Sequence, residues 1–170
     1  MSIETFASLS RPVVVAEISA EPMAVSIEVV DADKAGLAKL YGAEDIRVLK
    51  GDLDVIRRGT LVRVAGLLEA DLGRECVVSL EPMREVIAEN FAVEYTTEPA
   101  EEPEGETEAD LDAPEPIQGD TLDLGQVLVE QLVLAMDPHP RKEGAEPPED
   151  PGRKPESSPF DVLKSLKSED

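Results

Sequence analysis

Thr60-Leu61-Val62-Arg63-Val64-Ala65-Gly66-Leu67-Leu68-Glu69-Ala70-Asp71 is the stretch whose pattern decides the fold of this chain. Val62, Val64, Gly66 and Leu68 fall on one face of an extended backbone, and Leu61, Arg63, Ala65, Leu67 and Glu69 on the other. Alternation with period two is the signature of a strand with one covered face. Branching at Cβ in the valines suits a pleated surface. Arg58-Gly59 and Leu72-Gly73 stand at the two ends as turn signals.

Outward from this strand, Glu75 to Leu80 reads as its antiparallel partner, with Cys76, Val78 and Leu80 on one face. Val86 to Tyr95 closes the series, with Ile87, Phe91, Val93 and Tyr95 together. On the N-terminal side, Ile46 to Ile56 alternates weakly, with Gly51-Asp52 as a turn. Asp31 or Asp33 caps a helix running to Tyr41, with Leu37, Leu40 and Tyr41 on one side and Gly42 as its stop. Ala24 to Val30 and Val13 to Ile18 are two further strands. Short loops between successive strands predict an antiparallel sheet or meander. With one helix in its middle, the fold class is α+β, and residues 1–95 form the β-rich core domain.

Residues 96–119 differ in kind. They hold nine acids (Glu98, Glu101, Glu102, Glu104, Glu106, Glu108, Asp110, Asp112 and Glu115) and no Lys or Arg, with Pro99, Pro103, Pro114 and Pro116 interspersed. Such a segment repels itself and buries little, which predicts a disordered linker. A C-terminal amphipathic helix follows within residues 120–140. Leu124, Val127, Leu128, Gln131, Leu132 and Ala135 recur at helical spacing between Asp123 and Met136, and Pro138 and Pro140 stop the helix. An isolated helix of fewer than ~12–15 residues is marginal in water, so this one packs on the core or on a partner. Residues 141–170 read as a mostly disordered tail with a short apolar motif at 159–167, where Phe160, Leu163 and Leu166 share a face.

The 170 residues carry 38 acidic and 16 basic side chains, a formal net charge of -22. Aromatics make up only 3%, so the core is aliphatic. Free nucleic acid is a poor direct partner for such a chain, because phosphate contacts need Lys and Arg; a basic protein matches it better. The N-terminal residues lack the basic start and apolar run of a signal peptide. No apolar stretch approaches the ~18 residues of a membrane span. A single cysteine fits a reducing compartment, so a cytoplasmic location is expected.

Catalytic chemistry is hard to build from these residues. His139, the only histidine, lies between two prolines beside Arg141 and Lys142. Cys76 has apolar neighbours and no visible His, Lys or helix N-terminus to activate it, so it reads as a structural thiol. One Cys and one His do not make a structural zinc site. No phosphate-binding glycine loop or nucleophile elbow is present, nor the loop spacing of a calcium site. Arg141-Lys142 and Arg153-Lys154 are the basic islands of the C-terminal third, read either as an acidic-patch contact or as ordinary charge balance and helix C-capping.

Three segments carry a resemblance. They are Gly66-Leu67-Leu68-Glu69-Ala70 with Arg74-Glu75-Cys76-Val77-Val78-Ser79-Leu80-Glu81-Pro82; Asp123-Leu124-Gly125 with Glu130 through Ala145; and Pro159 through Leu166. Together they resemble the YceD-type large ribosomal RNA subunit accumulation proteins, especially the alphaproteobacterial branch. The resemblance implies a role in accumulation or processing of 23S ribosomal RNA and implies no catalytic activity. Many members carry a Cys-x-x-Cys pair where this chain has Cys76 and Ser79, and some carry cysteines after the long helix, where this chain has none. No metal or redox role is therefore carried over.

The expectation is a non-enzymatic factor in large ribosomal subunit biogenesis, without cofactor or metal and without a small-molecule substrate or membrane. Its partner would be a ribosomal assembly particle, a ribosomal protein or rRNA. An acidic chaperone or adaptor for a basic protein unrelated to the ribosome is the alternative. Glu130, Gln131, His139, Arg141 and Lys142 are the candidate partner-binding residues, since polar residues on and after an otherwise apolar helix have no packing reason to be there.

Overall fold

The computed structural model describes residues 6–99 and 113–146. Five strands form the main sheet in the order β2 (Met23–Glu28), β3 (Asp45–Arg58), β4 (Leu61–Glu75), β5 (Pro82–Thr96) and β6 (Glu115–Pro116). All neighbours are antiparallel except β6, which runs parallel to β5. A two-stranded ribbon pairs β1 (Pro12–Val14) with β7 (Thr121–Asp123). Helix α1 (Asp31–Tyr41) links β2 to β3, and helix α2 (Leu124–Ala135) follows β7. The architecture is the α+β antiparallel sheet with a mid-domain helix and a C-terminal helix that the sequence predicts.

The alternation of β4 sets the layering. Val62, Val64, Leu68, Ala70 and Leu72 are buried, and they share a face with Leu49, Leu53 and Val55 of β3 and with Ile87 and Tyr95 of β5. Leu37 and Ala38 of α1 and Leu124, Val127, Leu128 and Leu132 of α2 complete one aliphatic cluster with these strands. α2 thus packs on the core. Burying a leucine side chain of this kind contributes roughly 1.5–3 kcal/mol.

Four expectations are corrected. Gly51-Asp52 is not a turn: β3 runs straight through it, paired with Ile27 on one side and Leu68 on the other. The glycine is there for space, because a Cβ at position 51 would collide with the Leu128 side chain of α2. Leu72-Gly73 is not a turn either. Leu72 continues the buried alternation, and β4 ends only at Glu75, opposite Pro82. The partner of β4 is therefore β5, in register from Leu61 opposite Thr96 to Glu75 opposite Pro82, and Cys76–Glu81 is the hairpin loop between them. Cys76, Val78 and Leu80 share no strand face: Cys76 is buried, while Leu80 is exposed with a positive φ of 58°. Finally, Val13 to Ile18 is no continuous strand. Its pairing with β7 ends at Val14, and a single 3-10 turn, Val15–Glu17, follows.

At α1, Gly42 is left-handed, with φ 70°, as its stop role predicts. The helix is preceded by Val30 without a side-chain cap, and Asp33 instead accepts a hydrogen bond from the Ser8 N–H at 3.1 Å. Of the acidic stretch 96–119, residues 113–119 return alongside β5: Glu115 lies opposite Tyr95, and the Ile117 N–H donates to the Thr96 carbonyl at 2.9 Å. Residues 100–112 lie outside the described residues, as does 147–170 with its motif at Phe160, Leu163 and Leu166.

Candidate partner-binding site

The start of α2 is fixed to the N-terminal segment through Asp123. One oxygen of its carboxylate accepts from the Gly125 N–H at 2.9 Å and the Arg11 N–H at 2.8 Å, and the other from the Ser10 hydroxyl at 2.8 Å. This N-cap satisfies a helix donor that otherwise lacks a partner. Gly125 lies so close to the Leu9 carbonyl that no Cβ fits between them. The Asp123-Leu124-Gly125 sequence is thereby explained by geometry.

Along its length α2 leaves a groove of about 820 Å³ between itself, the end of α1 and the β5 edge. Tyr41, Val93, Tyr95, Val129 and Val133 contribute its apolar lining. Glu94, Glu115 and Glu130 are its charged members, and among the described residues no Lys or Arg lines it. Burial holds the Tyr95 hydroxyl well above the usual phenol range, with the Glu130 and Glu115 carboxylates adding to the effect. Burial raises Tyr41 too, and Glu130 again contributes. Glu130 itself is exposed and accepts a hydrogen bond from the Gln126 amide at 2.9 Å. Beside the groove, Val133 and Leu134 are 47% and 77% exposed.

The other end of α2 is built differently. Arg74 and Glu85, with side chains only 11% and 13% exposed, pair at 2.6 Å across β4 and β5. They grip the helix exit: Glu85 accepts the Asp137 N–H at 2.6 Å, and the Arg74 guanidinium donates to the Asp137 carbonyl at 3.1 Å. The chain then crosses the β4–β5 hairpin loop. The Val77 N–H donates to the Pro140 carbonyl at 3.0 Å, and the Lys142 N–H reaches Cys76 Sγ at 3.4 Å. Ser79 N–H reaches the same sulfur at 3.4 Å. These contacts, the Lys142 N–H first and then Ser79, pull the thiol from 9.0 down to about 6, against the effect of burial. The Lys142 ammonium pairs with Glu81 at 2.9 Å on the surface.

The five residues singled out from the sequence are therefore split in two. Glu130 and Gln131 line the groove. His139, Arg141 and Lys142 are exposed on the crossing segment, where the His139 N–H donates to Asp137 Oδ1 at 2.8 Å. Tyr41, Glu94 and Tyr95 were missed as groove residues; only the pairing of β5 beside α2 brings them together. The backbone donors on Cys76 were also missed, because the Lys142 N–H arrives from 66 residues away.

A family model described as large ribosomal RNA subunit accumulation protein YceD matches residues 64–167. The chain belongs to this family. The match starts within β4 and takes in β5, α2 and the crossing segment, while Tyr41 of the groove lies before it. No curated protein and no solved structure matches the chain. Among the described residues, no cluster of three or more His, Cys, Asp or Glu side chains is placed to hold a metal ion, and no helix is long and apolar enough to cross a membrane.

Proposed function

We propose that this chain is a non-enzymatic factor in accumulation or processing of 23S ribosomal RNA, acting in the cytoplasm by binding an assembling large ribosomal subunit or one of its components. Membership of a family described by large ribosomal RNA subunit accumulation carries this reading. The α2 groove beside an open strand edge offers a surface on which a polypeptide could be bound.

Deletion of the gene tests the reading. The expected result is a lower ratio of 23S to 16S RNA, or unprocessed 23S ends, and sedimentation of the tagged protein with large-subunit precursors. Normal 23S amounts and ends during fast growth would overturn it. The acid-rimmed groove also favours a second reading, a chaperone or adaptor for a basic protein outside the ribosome. Recovery of a single non-ribosomal basic partner, with none of the tagged protein on precursor particles, would select that one.

A further inference from the structure

The groove has three features that internal packing does not explain. Its apolar wall is only partly covered: Tyr41 and Val93 are half-buried and Val133 is exposed. Its carboxylates, Glu94, Glu115 and Glu130, have no basic side chain among the groove residues to offset them. The third feature is the edge of β5. β6 pairs only with Tyr95 and Thr96, so Val86–Glu94 has no strand partner on that side among the described residues. At ~3.3 Å per residue this edge is about 30 Å long. Exposed Glu89 and Glu94 guard this edge against pairing with another acidic or uncharged strand, and leave it open to a basic one.

We propose that the groove between α2 and β5 seats an extended basic polypeptide segment, in line with β6. Its backbone pairs with the β5 edge. Side chains on the groove face rest against Tyr41 and Val133 and, where basic, meet Glu115 and Glu130, and the alternate Lys and Arg side chains meet Glu94 on the other face. Strand addition obtains affinity from main-chain hydrogen bonds and selectivity from alternate side chains. Charge complementarity chooses the occupant. The described groove residues supply three carboxylates and no base, which favours a basic segment over an acidic one or RNA. The proposal deepens the binding-factor reading by naming the chemistry of the partner.

The test uses the full chain and three labelled probes: a peptide of alternating Lys and Val, its alternating Glu and Val counterpart, and a single-stranded RNA. The Lys-Val peptide is expected to bind with an affinity that falls as salt rises, and the other two are not. In the double variant Glu94→Lys/Glu130→Lys, at two exposed positions, affinity for the Lys-Val peptide drops about tenfold or more, while the thermal melt stays at the wild-type midpoint. Leu134→Asp, also exposed, weakens binding independently of the rim. Binding of RNA at the same groove overturns the proposal, as does equal binding of both peptides or of neither. It is also overturned if replacing the acids of 101–112 by Ser and Gly at constant length opens the groove to both peptides, since the chain's own segment is then the occupant. A gene deletion that leaves 23S RNA normal while the Lys-Val peptide still binds would sink the ribosomal reading and leave the groove assignment standing.

Discussion

Around the exit of α2 three ion-pair groups tie elements together; along its middle, carboxylates stand without a base beside them among the described residues. The exit end pairs Arg74 with Glu85, Arg84 with Asp45 and Asp71, and Lys142 with Glu81. These bonds tie β3, β4, β5 and the segment after the helix to one another. The groove end gathers Glu94, Glu115 and Glu130 around an apolar wall with no base beside them among the described residues. Charge at the exit is paired within the fold, whereas charge at the groove has no counterpart among the described residues.

Both ends hang on the same buried helix, so removing its anchor should erase the difference between them. Leu128 is fully buried and fills the space over Gly51. Leu128→Ala is expected to cost about 2–5 kcal/mol, because it leaves a cavity against a glycine that cannot fill it. A urea melt measures this. Hydrogen exchange should then show faster opening at α2 and at residues 137–142 together. Loosening of only one end would mean that the two ends are held independently.

Smaller changes separate the ends. Asp123→Ala removes the cap of Gly125 and the acceptor for Ser10 and Arg11, for an expected loss of about 1–2 kcal/mol. Its effect should fall on the β1–β7 ribbon and the groove, and weaken capture of the Lys-Val peptide. Glu85→Gln breaks a mostly buried ion pair and should cost about 1–3 kcal/mol, with the exit segment freed and the groove still able to bind. Equal loss of peptide binding in both variants, once matched for stability, would contradict the separation of the two regions.

The parts of this molecule that were legible in the sequence are those written in local periodicity. The alternation of Val62, Val64 and Leu68, the helix ending at Gly42 and the apolar stripe of α2 all follow from neighbours a few residues apart. The misreadings share one cause. Gly51 and Gly73 look like turn residues in isolation, yet each lies inside a strand because another element comes close: Leu128 at Gly51, and Asp45 and Arg84 at Gly73. The groove was half visible, through Glu130 and Gln131 as polar residues on an apolar helix. Its other wall, Tyr41 and Tyr95, becomes a neighbour only through sheet register and helix docking, which no local pattern encodes.

The last contrast concerns Cys76 and distinguishes backbone from side chain at the exit end. The Cys76 thiol is held at about 6 in the folded chain against 9.0 ordinarily. A group with a depressed value stabilises the fold above its unfolded value, and loses that contribution as pH falls through the folded one. The stability advantage of wild type over Cys76→Ser should therefore be greatest at pH 9, shrink steadily towards pH 6, and level off below it. Urea midpoints at several pH values give the curve. Lys142→Ala should leave the curve in place, because the N–H that reaches the sulfur belongs to the backbone and survives the substitution. The Lys142–Glu81 pair lost with it is solvent-exposed, and such pairs contribute little. A pH-independent difference between wild type and Cys76→Ser would show that the thiol is an ordinary buried side chain. A curve flattened by Lys142→Ala would show that the ammonium, and not the crossing backbone, sets the charge of this turn.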